Sequence, residues 1–169
     1  MSHAVRVTLP DGAALHVTDH GPGHGPALVC VHGFGLDARC WAPQATHFGR
    51  ARRVVMPELR GYGRSDRPTA PYRHGADVGA VLDALSIDRA VLMGVSLGAG
   101  VVASLALDRP ERVAALVLVS PLIRGLPTPD LMDLLKQVWA VAAAQGADAA
   151  RTAWAGSALF APTRRFPAA

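Results

Sequence analysis

Gly94-Val95-Ser96-Leu97-Gly98 lies between an apolar run and a stretch rich in small residues. At a strand-to-helix junction, Gly-x-Ser-x-Gly puts the serine on a sharp, strained turn with its hydroxyl aimed into a pocket. Such a serine attacks a carbonyl carbon only when a base takes its proton. Where this elbow is built, the chain order is Ser, then Asp or Glu, then His. None of the 7 histidines follows residue 74. The sequence therefore supplies a nucleophile and stops before the base. The alternative is a glycine-rich turn with an idle serine. The apolar run before the motif and the helical stretch after it favour the elbow.

Acyl transfer through a serine also needs two N–H donors aimed at the developing oxyanion. The residue after the nucleophile supplies one, here the Leu97 N–H. His32-Gly33-Phe34-Gly35 follows an apolar run, and its glycines free the backbone to turn inward, so the Phe34 N–H is the candidate for the second. His32 is read as a bracing residue of that loop rather than as the base. The candidate site is thus Ser96 as nucleophile and Phe34 and Leu97 as oxyanion donors, with His32, Gly33, Gly94 and Gly98 as the supporting motif. No metal or cofactor site is expected.

The elements that must position these groups are legible as periodicity. Val5 to Leu9 and Ala14 to Thr18 alternate around Pro10-Asp11-Gly12 and predict a β-hairpin. Ala27 to Val31 is a continuous apolar run, as expected of a strand buried on both faces of a parallel sheet, and Arg53 to Met56, Ala90 to Gly94 and Val113 to Val119 predict three further strands. Trp41 to Phe48 predicts a short helix. Val78, Val81, Leu82 and Leu85 have helical spacing, and Leu97 to Leu107 predicts the helix after the elbow. Strands alternating with helices predict an α/β fold with a mostly parallel sheet and helices on both faces. Beyond Pro121 the pattern becomes helical, with Leu131, Leu134, Leu135 and Val138 on one face and an Ala-rich helix over Ala147 to Leu159. The expected division is residues 1–121 as core and 122–169 as a separate helical segment.

Composition excludes several classes. The formal net charge is +4, but the arginines are scattered and only Arg52-Arg53 and Arg164-Arg165 are adjacent, so nucleic acid is not an expected partner. The longest uncharged stretch, Ala90 to Leu107, is divided by Gly94, Gly98 and Gly100 into a strand and a helix, which argues against a membrane span. The N-terminus shows no signal-peptide pattern, so a cytoplasmic setting is expected. Cys30 and Cys40 have neither zinc nor redox spacing. Cys30, inside an apolar run, is expected to be a small buried hydrophobe.

Three motifs in order resemble the α/β-hydrolase superfamily, in particular its lidded esterase, haloperoxidase and enol-lactonase-like branch. They are Val31-His32-Gly33-Phe34-Gly35 with Trp41 following, Pro57-Glu58-Leu59-Arg60-Gly61-Tyr62-Gly63-Arg64-Ser65-Asp66, and Gly94-Val95-Ser96-Leu97-Gly98. Pro110-Glu111-Arg112-Val113 before an apolar strand is similar too. The resemblance covers about residues 5 to 121. It implies a truncated α/β-hydrolase fold that ends before the last strands, which in relatives bring the acid and then the histidine. Glu58 stands where the family usually has Asp, in a loop that is structural there. Ser at the elbow, rather than Asp, argues against epoxide hydrolase and haloalkane dehalogenase chemistry. Asp130, Asp133 and Asp148 fall in the lid-like segment and are not assigned the acid role. Trp139, Trp154, Leu159 and Phe160 lie where relatives carry the lid.

The resemblance implies a cofactor-independent serine hydrolase acting on small esters, lactones or similar acyl compounds. Two alternatives remain: a catalytically silent hydrolase-fold binding protein, and one half of a split enzyme. The expected partner is a small acyl substrate. Self-association is also expected, because Val113 to Val119 becomes an exposed sheet edge.

Overall fold

The alternation around Pro10-Asp11-Gly12 yields an antiparallel hairpin, β1 (Ser2–Thr8) and β2 (Ala14–His20), with Val5 opposite Val17. Both strands run past the sequence expectation. β1 begins three residues earlier, at Ser2, and β2 runs two residues further, through a buried Asp19 that pairs with Arg53, to His20. The computed structural model describes residues 2–123, 125, 126 and 128–161. Two compact units divide the chain, Met1–Arg124 and Gly125–Ala169.

In the first unit the apolar runs become β3 (Ala27–Val31), β4 (Val54–Pro57), β5 (Ala90–Val95) and β6 (Val113–Val119). The helices are α1 (Ala42–Phe48), α2 (His74–Ala84) and α3 (Leu97–Asp108). A 3-10 turn over Ala38–Trp41 leads into α1, where the Asp37 side chain accepts a hydrogen bond from the Arg39 N–H. The six strands form one sheet in the order β1-β2-β4-β3-β5-β6. β4 joins the antiparallel hairpin to the parallel part, pairing antiparallel with β2 and parallel with β3.

Side chains alternate across a strand, and β3 shows it directly. Val29 and Val31 enter a core with Val78, Val81 and Leu82 of α2 and Val101, Val102 and Leu105 of α3. Leu28 and Cys30 enter a second core with Trp41 and with Ala45 of α1. Helices therefore cover both faces, as the sequence predicts.

β6 differs from the other strands. Among the described residues it is a sheet edge, and Leu116, Val117, Leu118 and Val119 are 38–45% exposed. Alternate residues of a strand point to opposite faces, so neither face of β6 is closed.

The second unit is helical. Its main helix, α4 (Pro129–Gly156), is broken at Gly146, whose φ of 86° is not helical. A 3-10 turn over Ala158–Phe160 follows, and the Trp154 and Phe160 rings meet edge to face at 5.6 Å. The Ala-rich helix expected to reach Leu159 stops at Gly156, and glycine is a weak helix former. Among the described residues no helix is long and apolar enough to cross a membrane. Residues 162–169, including Arg164-Arg165, lie outside the described residues.

Candidate active site

Ser96 caps α3 at the C-terminal end of β5, with φ 52° and ψ −114°. Few non-glycine residues hold a positive φ, and they do so only where the surroundings enforce it. Two glycines make the turn possible. A Cβ on Gly98 would penetrate the Val31 and His32 carbonyls, and one on Gly94 would penetrate the Gly98 backbone. The first turn of α3 is thereby pressed against the exit of β3. Ser96 and Leu97 are partly exposed. As the first residue of α3, Leu97 has an N–H with no intrahelical carbonyl to meet it.

The exit of β3 carries the other half of the site. Gly33 is buried, and a Cβ there would lie 3.3 Å from the Val95 carbonyl oxygen and 3.5 Å from Ser96 Cβ. The His32–Gly35 loop thus abuts the serine. Phe34 is half-buried, and its ring meets Tyr62 edge to face at 6.1 Å. Tyr62 also contacts the His32 ring, at 5.2 Å. The sequence reading did not single out Tyr62. Its place in the 57–66 motif was the available signal.

His32 is fully buried, and both ring nitrogens are engaged by backbone. Nδ1–H donates to the Gly33 carbonyl at 2.8 Å, and Nε2 accepts from the Leu59 N–H at 2.9 Å. This pair requires the neutral ring protonated on Nδ1. It ties the loop after β3 to the loop after β4. A ring so engaged has no nitrogen left for the Ser96 proton.

Burial pushes His32, His16 and His74 below their ordinary value of 6.5. Between the folded and unfolded values the unfolded chain binds more protons, so stability rises with pH there. The contribution is complete above about pH 6.5 and is lost as pH falls toward the folded values. The urea midpoint is expected to drop between about pH 7 and pH 5, and less steeply in His32→Gln. Equal slopes for the two proteins would remove His32 from this account.

The 57–66 motif is a knot of hydrogen bonds on β2. Buried Glu58 accepts the Arg64 N–H at 2.6 Å, and its backbone N–H donates to the His16 carbonyl at 2.8 Å. Ser65 Oγ donates to the Glu58 carbonyl at 2.6 Å. Asp66 accepts the Ala14 N–H at 2.8 Å and pairs with Arg6 at 2.7 Å. Glu58 makes backbone contacts that fix the loop holding Leu59 against His32.

Arg60 and Asp77 form a buried bidentate pair with N–O distances of 3.0 and 2.9 Å. Asp11 adds a third bond at 2.6 Å, and the guanidinium lies 5.1 Å from the Tyr72 ring centre. The Asp77 and Asp11 carboxylates push Arg60 further up from an already high value. Nothing in the sequence marked this pair.

A family model described as alpha/beta hydrolase fold matches residues 26–151. The chain belongs to the α/β-hydrolase family. It is 40% identical over 137 residues to a non-heme chloroperoxidase of Streptomyces lividans, covering 76% of this chain and 50% of that protein. It is 35% identical over 129 residues to a 2-hydroxymuconate semialdehyde hydrolase of Pseudomonas sp. strain CF600, covering 72% and 45%. A crystal structure of a hydrolase from Pseudomonas aeruginosa PA01 superposes with a TM-score of 0.72 at 32% identity, covering 82% of this chain and 52% of that one. The chain spans about half the length of the curated relatives it matches.

Within this hydrolase fold, the described histidines all precede the elbow. Among the described residues no histidine ring nitrogen hydrogen-bonds the Ser96 hydroxyl. Nor does any group of three or more His, Cys, Asp or Glu among them stand ready to hold a metal ion. Cys30 is buried and free, with burial pushing its thiol up to about 12, while Cys40 is free and exposed. Trp139 on α4 is 58% exposed.

Proposed function

We propose that this chain is the nucleophile-bearing part of a serine hydrolase acting on small ester, lactone or other acyl substrates. Ser96 Oγ attacks the carbonyl carbon, and the Phe34 and Leu97 N–H groups hold the oxygen as it takes up negative charge. The proton of Ser96 passes to a base from outside residues 1–169. One observation carries the reading. Ser96 holds a positive φ at the cap of α3 with the glycine loop of β3 directly against it. Serine rather than aspartate at this position favours acyl chemistry over epoxide opening. A cytoplasmic setting belongs to the same reading.

The test is chemical labelling of the 169-residue chain with a fluorophosphonate, read by intact mass and peptide mapping. Slow stoichiometric labelling at Ser96 is expected, and none in Ser96→Ala. Turnover of an activated ester is expected to stay feeble, on the scale of about 10³–10⁴-fold over water that an oxyanion hole and binding leave when a triad is incomplete. Absence of label would favour a catalytically silent hydrolase-fold binding protein. Robust turnover lost in Ser96→Ala would reveal a base inside the chain.

We also infer that the isolated chain self-associates through β6. This strand is an apolar edge without the charges or proline that blunt natural edges, and contiguous exposed apolar surface favours association. Light scattering is expected to report species larger than a monomer. A monodisperse monomer with residues 113–119 strongly protected from amide exchange would rule this out.

A further inference from the structure

Among the described residues, three other than glycine hold a positive φ: Ser86 at 52°, Ser96 at 52° and Ser120 at 44°. Two have evident reasons. Ser86 ends α2, where the following Ile87 N–H returns to the Leu82 carbonyl. Ser96 is the elbow. Ser120 lies in neither a helix stop nor a glycine-type hairpin turn.

Its neighbours explain it. β5 and β6 are parallel, with Val95 opposite Val119. In a regular parallel ladder a residue donates its N–H to one partner carbonyl and accepts from the N–H two residues further along that partner strand. Ser96 donates to the Val119 carbonyl at 2.9 Å. Its own carbonyl should then accept from residue 121. Residue 121 is proline, which has no N–H. The bond comes instead from the Leu122 N–H, at 3.1 Å. One extra residue must fit between the two contacts. That makes a bulge directly opposite Ser96, and a left-handed residue is a common way to absorb one. Leu122 then sits so close to α3 that a Cβ on Gly100 would collide with its carbonyl oxygen.

We propose that Ser120 is a positioning residue for Ser96, and that its left-handed backbone, made necessary by Pro121, fixes the strained φ of the nucleophile. The inference rests on Ser96 being the nucleophile. The Ser96 N–H is held by Val119, and its carbonyl accepts both the Leu122 N–H and, within α3, the Gly100 N–H at 3.2 Å, so the serine cannot relax to an extended conformation without breaking its bonds to the 119–122 segment. The requirement falls on the backbone of Ser120. Its rank order of tolerated substitutions should therefore follow the cost of a positive φ, with Gly best, Ala intermediate and the β-branched Val worst.

The test uses Ser120→Gly, Ser120→Ala and Ser120→Val in the 169-residue chain, with two readouts. The first is the rate of fluorophosphonate labelling at Ser96. The second is amide exchange at Ser96 and Leu122, with Val29 and Leu92 as internal references. Ser120→Val is expected to slow labelling and speed exchange at both amides by about tenfold, with Ser120→Gly within about twofold of the parent. The references should not move. The proposal is overturned if Ser120→Val leaves both readouts unchanged. It is equally overturned if Ser120→Gly behaves like Ser120→Val, or if the reference amides accelerate in the same proportion. An unlabelled parent chain would sink the serine-hydrolase reading, while the exchange arm would still decide whether Ser120 holds the backbone of residue 96.

Discussion

Gly98→Ala is expected to cost about 3 kcal/mol, the upper end of what overpacking typically takes. The reason is the identity of the atoms in the way. A methyl group at 98 would meet the Val31 and His32 carbonyls. Those oxygens belong to the buried exit of β3 and cannot rotate aside as a side-chain tip would. Accommodation requires α3 to move away from the sheet, which also parts Ser96 from the Gly33 loop. The melting temperature should fall by roughly 6–12 °C for a chain of this size, and labelling at Ser96 should be lost with it. Gly156→Ala is the control, because a Cβ there meets nothing within 4 Å. Similar melting temperatures for Gly98→Ala and the parent chain would contradict the close approach on which the site depends.

Asp77→Ala is expected to be at least as damaging. Arg60 is 2% exposed, and Asp77 supplies two of its three carboxylate hydrogen bonds. Removing Asp77 leaves a buried guanidinium with Asp11 alone. Breaking a buried pair by deleting one partner costs about 3–5 kcal/mol, chiefly through the charge left behind. The double variant Arg60→Met with Asp77→Ala should recover much of the loss, since it leaves no buried charge. Urea denaturation of the single and double variants measures this directly. If the double variant is no more stable than Asp77→Ala, the loss does not come from an uncompensated charge.

Most elements were legible because each buries a pattern, while β6 was legible as an apolar run although Leu116 to Val119 are exposed. β3 reads as five apolar residues in a row, and both its faces are buried. The hairpin reads from Pro10-Asp11-Gly12, and the helix after Ser96 from its small residues. The sequence divides the helical segment in two, with the Ala-rich helix starting at Ala147, and the non-helical Gly146 falls at that division. At the candidate site the motifs single out Ser96, Leu97 and the Gly33 loop, and the β3–β5 pairing, with Val31 beside Gly94, brings the loop and the serine together. Long-range polar partners were not readable. Arg60 and Asp77 stand in different elements, and no periodicity links a guanidinium to its carboxylate. The hydrogen bond from Leu59 to His32 is equally silent, since a backbone N–H leaves no mark in the residue type. Ser120 was invisible because a left-handed backbone at a serine follows from the proline after it and the strand beside it.

The sheet order has a consequence for how the chain assembles in time. β1 and β2 are neighbours in sequence and meet through a short turn, so they can pair as soon as they are made. β3 must instead find β5, with Ala27 beside Ala90. The cost of closing a loop is paid before its contacts repay it, which makes such distant parallel pairings slow. β6 docks on β5 through its own crossover, and only then can Val119 and Leu122 grip Ser96. The hairpin can therefore be a first, local structure. The clamp on Ser96 spans the shorter separation, with Ala90 beside Val113, so by the same argument it can close before the β3–β5 pairing brings the Gly33 loop against the serine.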